Sequence, residues 1–175
     1  NFIVNELSHS NPLSHVIEMA RQKGYSEPDP RIDLSGIDVA RKILILAREA
    51  GYEMEPDEVV REPFIPAHLF ADEPVADFMK KVADLDHSFE IQRQSLVEQG
   101  LRMRYVATLE NGKASLGMKL VDDSHPFYHL EGSNNVVLIW SDNYREHPMQ
   151  IKGYGAGAEV TAAGVFADII KVANL

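Results

Sequence analysis

Cysteine is absent from this 175-residue chain, so neither a disulfide framework nor a thiolate metal site is open to it. That absence suits a reducing compartment, and the cytoplasm is the expected location. Long apolar runs are missing too: none approaches the roughly 20 residues that a membrane-spanning helix requires. Positive charge is scarce. With 17 Lys and Arg against 27 Asp and Glu, the formal charge is −10, which argues against nucleic acid or an anionic membrane as partner, since either repels an acidic surface. The seven histidines show no metal-ligand spacing. His125 and His129 are four apart, but Pro126 between them opposes a shared helical face, and no metal site is expected. No G-x-G-x-x-G follows a predicted strand, so no dinucleotide-binding unit is expected in these residues. The start, Asn1-Phe2-Ile3-Val4, carries neither an initiator Met nor a signal-peptide pattern, and the expectation is a piece of a longer protein.

What is present reads as one domain, 1–175. Apolar residues make up 45% of the chain and charged residues 25%, ordinary usage for a globular protein at a length that supports a core. The first half is helical in period. Leu13 to Lys23 puts Leu13, Val16, Ile17 and Ala20 on one face, and Gly24 supplies a stop. A loop stiffened by Pro28 and Pro30 follows. The next helix is read with Ser35 as N-cap, Asp38 three residues on, and Gly51 at its close. Further helices are predicted near Val75 to Val82 and near Ser88 to Glu98, with Ser88 as another cap. Glu62 to Pro66 reads as a loop rather than a domain boundary, and the acidic run Glu53 to Glu58 as a solvated face.

The second half changes period. Leu101 to Glu110 and Lys113 to Val121 flank Asn111-Gly112, a hairpin signal because a type I′ turn needs positive φ at both central residues. Asn135 to Trp140 and Met149 to Lys152 predict two more strands, with Trp140 on a face shared with Val136 and Leu138 and read as core or interface. A small-residue loop from Gly153 to Gly157 leads into a last helix ending near Val172. Helices followed by strands, without β-α alternation, predict an α+β fold with helices packed on one face of a mainly mixed or antiparallel sheet.

The densest cluster of chemically capable residues is Glu27, Asp29, Asp33, Asp38 and Lys42. Asp38 and Lys42 are four apart on a predicted helix and so share a face. Carboxylates facing one lysine suit a ligand that bears an ammonium group and a reacting oxygen, with the lysine passing a proton. Spacing alone fits a surface ion pair worth a few tenths of a kcal/mol better than it fits a site.

The run from Ala20 to Lys42 shifts that balance. Ala20, Gly24, Asp29-Pro30, Asp33, Gly36, Asp38 and Lys42 resemble, residue for residue and in spacing, the signature of the homoserine dehydrogenase family. A second block, Lys152 to Asp168, is similar to that family's closing segment, and 153–175 is read as the part that returns toward a cofactor domain. The narrower likeness is to the C-terminal part of a bifunctional aspartokinase–homoserine dehydrogenase.

The resemblance implies NAD(P)-dependent interconversion of aspartate semialdehyde and homoserine, a step toward threonine, methionine and isoleucine. It implies that Lys42 donates the proton, with Asp38 beside it in catalysis and substrate binding, and that Tyr25, Glu27 and Asp33 also hold substrate. It further implies that Gly155 and Gly157 approach a cofactor bound mainly by a domain absent from this chain, so that the chain by itself is expected to be inactive. The family's dimers imply a homodimer. Apolar residues of the strand block (Leu109, Leu116, Met118, Leu138 and Trp140) point the same way, because they are expected to exceed what the helices cover. The competing reading is an amino-acid-binding regulatory or dimerisation module without chemistry of its own. It leaves the Lys42–Asp38 pair without a purpose.

Overall fold

Apolar residues at helical spacing build most of the first hundred positions, and the computed structural model describes residues 2–71, 73–132, 134–154 and 157–174. A short α1 (Phe2–Glu6) precedes α2 (Leu13–Gln22), which buries Leu13, Val16, Ile17 and Ala20. The N-terminus of α2 has no capping side chain of its own. Asp86, the first residue of a later helix, serves instead, accepting from the Ser14 backbone N–H at 2.8 Å and the Ser14 hydroxyl at 2.7 Å. The proline-stiffened loop is not wholly irregular, because Pro30 starts a single turn, α3 (Arg31–Leu34).

Then comes α4 (Ile37–Glu49), whose start differs from the expectation. Ser35 closes α3, its hydroxyl donating to the Ile32 carbonyl at 2.8 Å, and Gly36 is the N-cap of α4 with φ of 77°. Ser88 likewise is no N-cap: it lies inside α6 (Asp86–Glu98) and donates to the Leu85 carbonyl at 2.8 Å. In both places a serine satisfies a carbonyl three residues back instead of opening a helix. Between α4 and α6 lie β1 (Val60–Arg61) and α5 (Val75–Ala83).

The Asn111-Gly112 turn forms with φ of 50° and 73°, as a type I′ hairpin requires. It joins β2 (Arg102–Glu110) to β3 (Lys113–Val121) in antiparallel register, Ala107 opposite Leu116, and β1 adds to β3 in parallel. This mixed sheet, ordered β1-β3-β2, is one of two. The other is the hairpin of β4 (Asn134–Ser141) and β5 (Tyr144–Tyr154), after which α7 (Ala158–Ala173) runs to the end of the described chain. The fold is α+β as expected. The four long strands do not form a single layer, however, because alternation of apolar residues sets which side a strand buries and not which strand it pairs with.

Two cores result. In the first, Ala40, Ile43, Leu44 and Ala47 of α4 pack with Ala114 and Leu116 of the mixed sheet, so Leu116 is covered and not part of an open face. In the second, Leu13 and Ile17 of α2, Leu34, Ile65 and Leu69 surround Phe78 and Val82 of α5. The C-terminal elements contrast with both. Each described residue of α7 is exposed, and Trp140 is 59% exposed. The β-bulge between Ile139 and Ser141 falls at Trp140, which breaks the alternation that put it with Val136 and Leu138. Trp140 is therefore not a core residue of this chain.

On β2, Arg104 is buried and donates to the carbonyls of Met103, Phe127, Tyr128 and Leu130 at 2.6 to 3.3 Å. Burial draws its pKa below the ordinary arginine value. Its guanidinium fixes the irregular segment 122–130 against the strand by satisfying backbone acceptors that turns leave over.

Candidate active site

Asp33 and Asp38 flank the α3–α4 junction, which crosses from one core to the other: Leu34 belongs to the second core and Ala40 to the first. Ala40, Ile43, Leu44 and Ala47 of α4 face the sheet, while Asp38 is half-buried and Lys42 exposed. Lys42 Nζ lies 2.9 Å from Asp38 Oδ2, an i,i+4 pair with about half of each side chain accessible.

The loop before α3 forms the other half. Asp33 Oδ2 accepts from the Ser26 hydroxyl at 2.8 Å and from the Glu27 backbone N–H at 3.0 Å. These bonds stake the Glu27 backbone to α3, and the Glu27 side chain is exposed. Tyr25 packs edge-on against Phe2 with ring centroids 5.1 Å apart and is 39% exposed.

Asp29 does not join the cluster. Arg31 takes it in a bidentate pair, Nε to Oδ1 at 2.9 Å and Nη2 to Oδ2 at 2.7 Å, and also donates to the carbonyls of Ala71 and Glu73. The hydrogen bond from Arg31 holds the Asp29 carboxyl below its ordinary range. The sequence reading missed both Arg31 and Ser26. The Asp29-x-Arg31 spacing was visible, but nothing in it tells whether Asp29 faces ligand or neighbour. Lys42 thus meets one carboxylate, Asp38, while Asp33 is engaged with Ser26 and Glu27.

Gly36 holds this junction tight. Its φ of 77° belongs to the left-handed region that glycine tolerates, and a Cβ there would collide with Tyr105 Oη and come within 2.7 Å of Leu116 Cδ1. Gly157, also singled out, is the N-cap of α7 with φ of 129° and open space where a Cβ would stand. Gly155 lies outside the described residues. His125 and His129 sit in turns, where His125 Nδ1 accepts from the Phe127 N–H and His129 bonds Asp123. No group of three or more His, Asp or Glu among the described residues is placed to hold a metal ion. None of the described helices is long and apolar enough to cross a membrane.

Chemically, the arrangement offers an ammonium donor backed by a carboxylate on α4, and a further exposed carboxylate on the loop bonded to the preceding turn. Comparison with known proteins gives this arrangement its setting. Residues 1–170 match the family model for homoserine dehydrogenase. A bifunctional aspartokinase/homoserine dehydrogenase of Haemophilus influenzae is 40% identical over 171 residues, which is 98% of this chain but 21% of that protein. The chain therefore spans about a fifth of the length of such a relative. Among solved structures, a Candida auris protein of unknown function superposes with a TM-score of 0.85 at 39% identity, covering 99% of this chain and 50% of that one. A homoserine dehydrogenase from Thiobacillus denitrificans superposes at 0.71 with 28% identity, over 98% of this chain and 36% of that one.

Proposed function

This chain belongs to the homoserine dehydrogenase family, and from that premise we propose that it is the substrate-holding, proton-donating part of an oxidoreductase interconverting L-aspartate semialdehyde and L-homoserine with NAD(P)(H). The observation that carries the proposal is the Lys42–Asp38 pair, 2.9 Å apart on α4, the helix that follows the Asp33-bearing turn to which the Glu27 backbone is bonded. Reduction of an aldehyde builds negative charge on its oxygen, and a positioned ammonium stabilises that charge and delivers the proton. Lys42 Nζ takes this role, and Asp38 fixes its direction and reaches the substrate. Glu27 and Asp33, with Tyr25 at the rim, hold the substrate's amino group through charge-assisted hydrogen bonds.

The described residues do not fit a whole dinucleotide, since no βαβ unit with a glycine-rich turn is among them. We place NAD(P) mainly on a domain beyond this chain, approached by the backbone at Gly155 and Gly157, and the chain alone is expected to show no turnover. Exposed apolar residues of the β4–β5 hairpin, Ile139, Trp140, Met149 and Ile151, support a homodimer. A chain without cysteine suits the cytoplasm.

The test uses the full-length protein that contains this chain. Lys42→Ala is expected to lower kcat at least about a hundredfold with a smaller change in KM, as for loss of a general acid. Glu27→Gln is expected to act mainly on KM, because its carboxylate meets the amino group in ground and transition states alike. Thermal melts should move little for either, since an exposed helical ion pair is worth only about 0.3–0.5 kcal/mol. A Lys42→Ala enzyme with near-native kcat ends the assignment.

A further inference from the structure

One short strap, residues 62–64, ties α3 to the mixed sheet, on which α4 packs directly. Its first residue donates from the Glu62 N–H to the Leu116 carbonyl at 2.9 Å, and its last donates from the Phe64 N–H to the Leu34 carbonyl at 2.8 Å. The first bond anchors the strap to β3. The second anchors it to the last residue of α3, the turn that carries Asp33. Between them, Tyr105 on β2 reaches through the junction. Its hydroxyl donates to the Glu62 carbonyl at 2.6 Å, and its ring lies edge-on to Phe64 with centroids 6.1 Å apart. The same oxygen occupies the space a Cβ would need at Gly36, two residues before Asp38. Tyr105 therefore touches the strap and the N-cap of α4 at once.

From this geometry we infer that Tyr105 is a positioning residue: through the Glu62 carbonyl and the contact with Gly36 it sets the spacing between the Glu27–Asp33 loop and the Asp38–Lys42 face of α4. The inference rests on the reading of Lys42 as proton donor. Packing of α4 on Leu116 and the two strap bonds also hold this junction, and Tyr105 adds the contact that meets the strap and the Gly36 N-cap together. Burial pushes the Tyr105 hydroxyl up to about 12, so it remains a neutral donor at any pH at which the enzyme is assayed. A shift of α4 by a fraction of an ångström moves Lys42 Nζ off the reacting oxygen, and misplacement of this kind is felt in turnover before it is felt in binding.

The experiment is a kinetic cycle in the full-length protein with Tyr105→Phe, Lys42→Ala and the double variant. Tyr105→Phe is expected to lower kcat about tenfold while KM stays within about twofold, the scale for a displaced catalytic group. On the Lys42→Ala background it should cost nothing further, because a residue acting through Lys42 has nothing left to position. Amide hydrogen exchange supplies a second measure. Exchange at Phe64 and Ala40, whose N–H groups bond Leu34 and Gly36, should quicken in Tyr105→Phe while that at Ile17 in α2 does not. Replacing Tyr105 with 4-aminophenylalanine keeps a donor on the same ring and should restore most of the turnover, and it also covers the case in which Tyr105→Phe folds poorly. Near-native kcat in Tyr105→Phe overturns the inference, as does an equal further loss on the Lys42→Ala background, exchange that quickens uniformly, or a donor-bearing variant as slow as Tyr105→Phe. If Lys42→Ala itself is fast, the reading of the site has failed. If Lys42→Ala is slow and Tyr105→Phe fast, only the positioning role has failed.

Discussion

Helices α4 and α7 are similar in length and opposite in circumstance. The 13 residues of α4 bury Ala40, Ile43, Leu44 and Ala47 against the sheet, and its polar side carries the Asp38–Lys42 pair. The 16 residues of α7 bury nothing, although Val165, Phe166, Ile169 and Ile170 are each 45% exposed or more. Most helical stability in proteins comes from packing an apolar face and not from propensity, so α4 is held by this chain, whereas α7 shows an apolar side that a second surface would stabilise. The same contrast separates the β2–β3 hairpin, covered by α4, from the β4–β5 hairpin. A body with packed cores and a tail with exposed apolar side chains are thus distinguishable in one short chain.

The sharpest way to break this contrast is a pair of equivalent truncations. Phe78, fully buried in the second core, should cost about 3–5 kcal/mol when changed to Ala, the range for an aromatic deleted from a packed interior. Denaturant unfolding of the isolated chain measures it. At the level of association, Trp140→Glu should weaken self-association at least about tenfold, since a buried charge at an interface centre is hard to accommodate. Sedimentation at micromolar concentration reads the shift toward monomer, and an unchanged profile removes Trp140 from the interface.

A smaller effect concerns α6. The Arg93 side chain, bonded at 2.7 Å, holds the Glu90 carboxyl down at about 2 against an ordinary 4.5. A carboxyl depressed on folding contributes stability that is fully present above the unfolded value and lost as pH falls from about 4.5 toward about 2. Glu90→Gln should therefore lower the neutral end of a melting-temperature profile and flatten its acid limb, the variant and the parent converging as pH falls toward about 2. Smallest of all, Phe166→Ala on exposed α7 should move the stability of the isolated chain by no more than about 0.5 kcal/mol. A loss as large as that of Phe78→Ala would mean that α7 is packed after all and would erase the contrast.

The sequence carried the repetitive features because those are written locally. The apolar period of α2 and α4, and the positive φ demanded by Asn111-Gly112, need no knowledge of the rest of the chain. Three kinds of feature were not local. Elements of a few residues, such as α1, α3 and the two-residue β1, are too short to show a period and exist because the tertiary fold places them. Strand pairing depends on partners distant in sequence, so the split into two sheets was hidden, as was the length of β5, where Pro148 interrupts the pattern. Cap assignments at Ser35 and Ser88 failed because serine bonds a carbonyl behind it as readily as an N–H ahead. For the candidate site, the family resemblance points to Tyr25, Glu27, Asp33, Asp38 and Lys42, while only the fold shows Arg31 turning Asp29 aside, Ser26 holding Asp33, and Tyr105 filling the place of a side chain at Gly36.

Arg104 has a consequence for how the molecule meets ionic strength. The exposed pairs Lys42–Asp38 and Lys80–Asp77 weaken as added salt shortens the Debye length, from about 10 Å at 0.1 M to about 3 Å at 1 M. Arg104 leans on four carbonyl dipoles in the interior, where mobile ions do not come between donor and acceptor. Concentrated electrolyte should thus loosen the rim of the protein while leaving segment 122–130 moored to its strand, so that the molecule has a salt-tolerant backbone joint beneath a salt-sensitive surface.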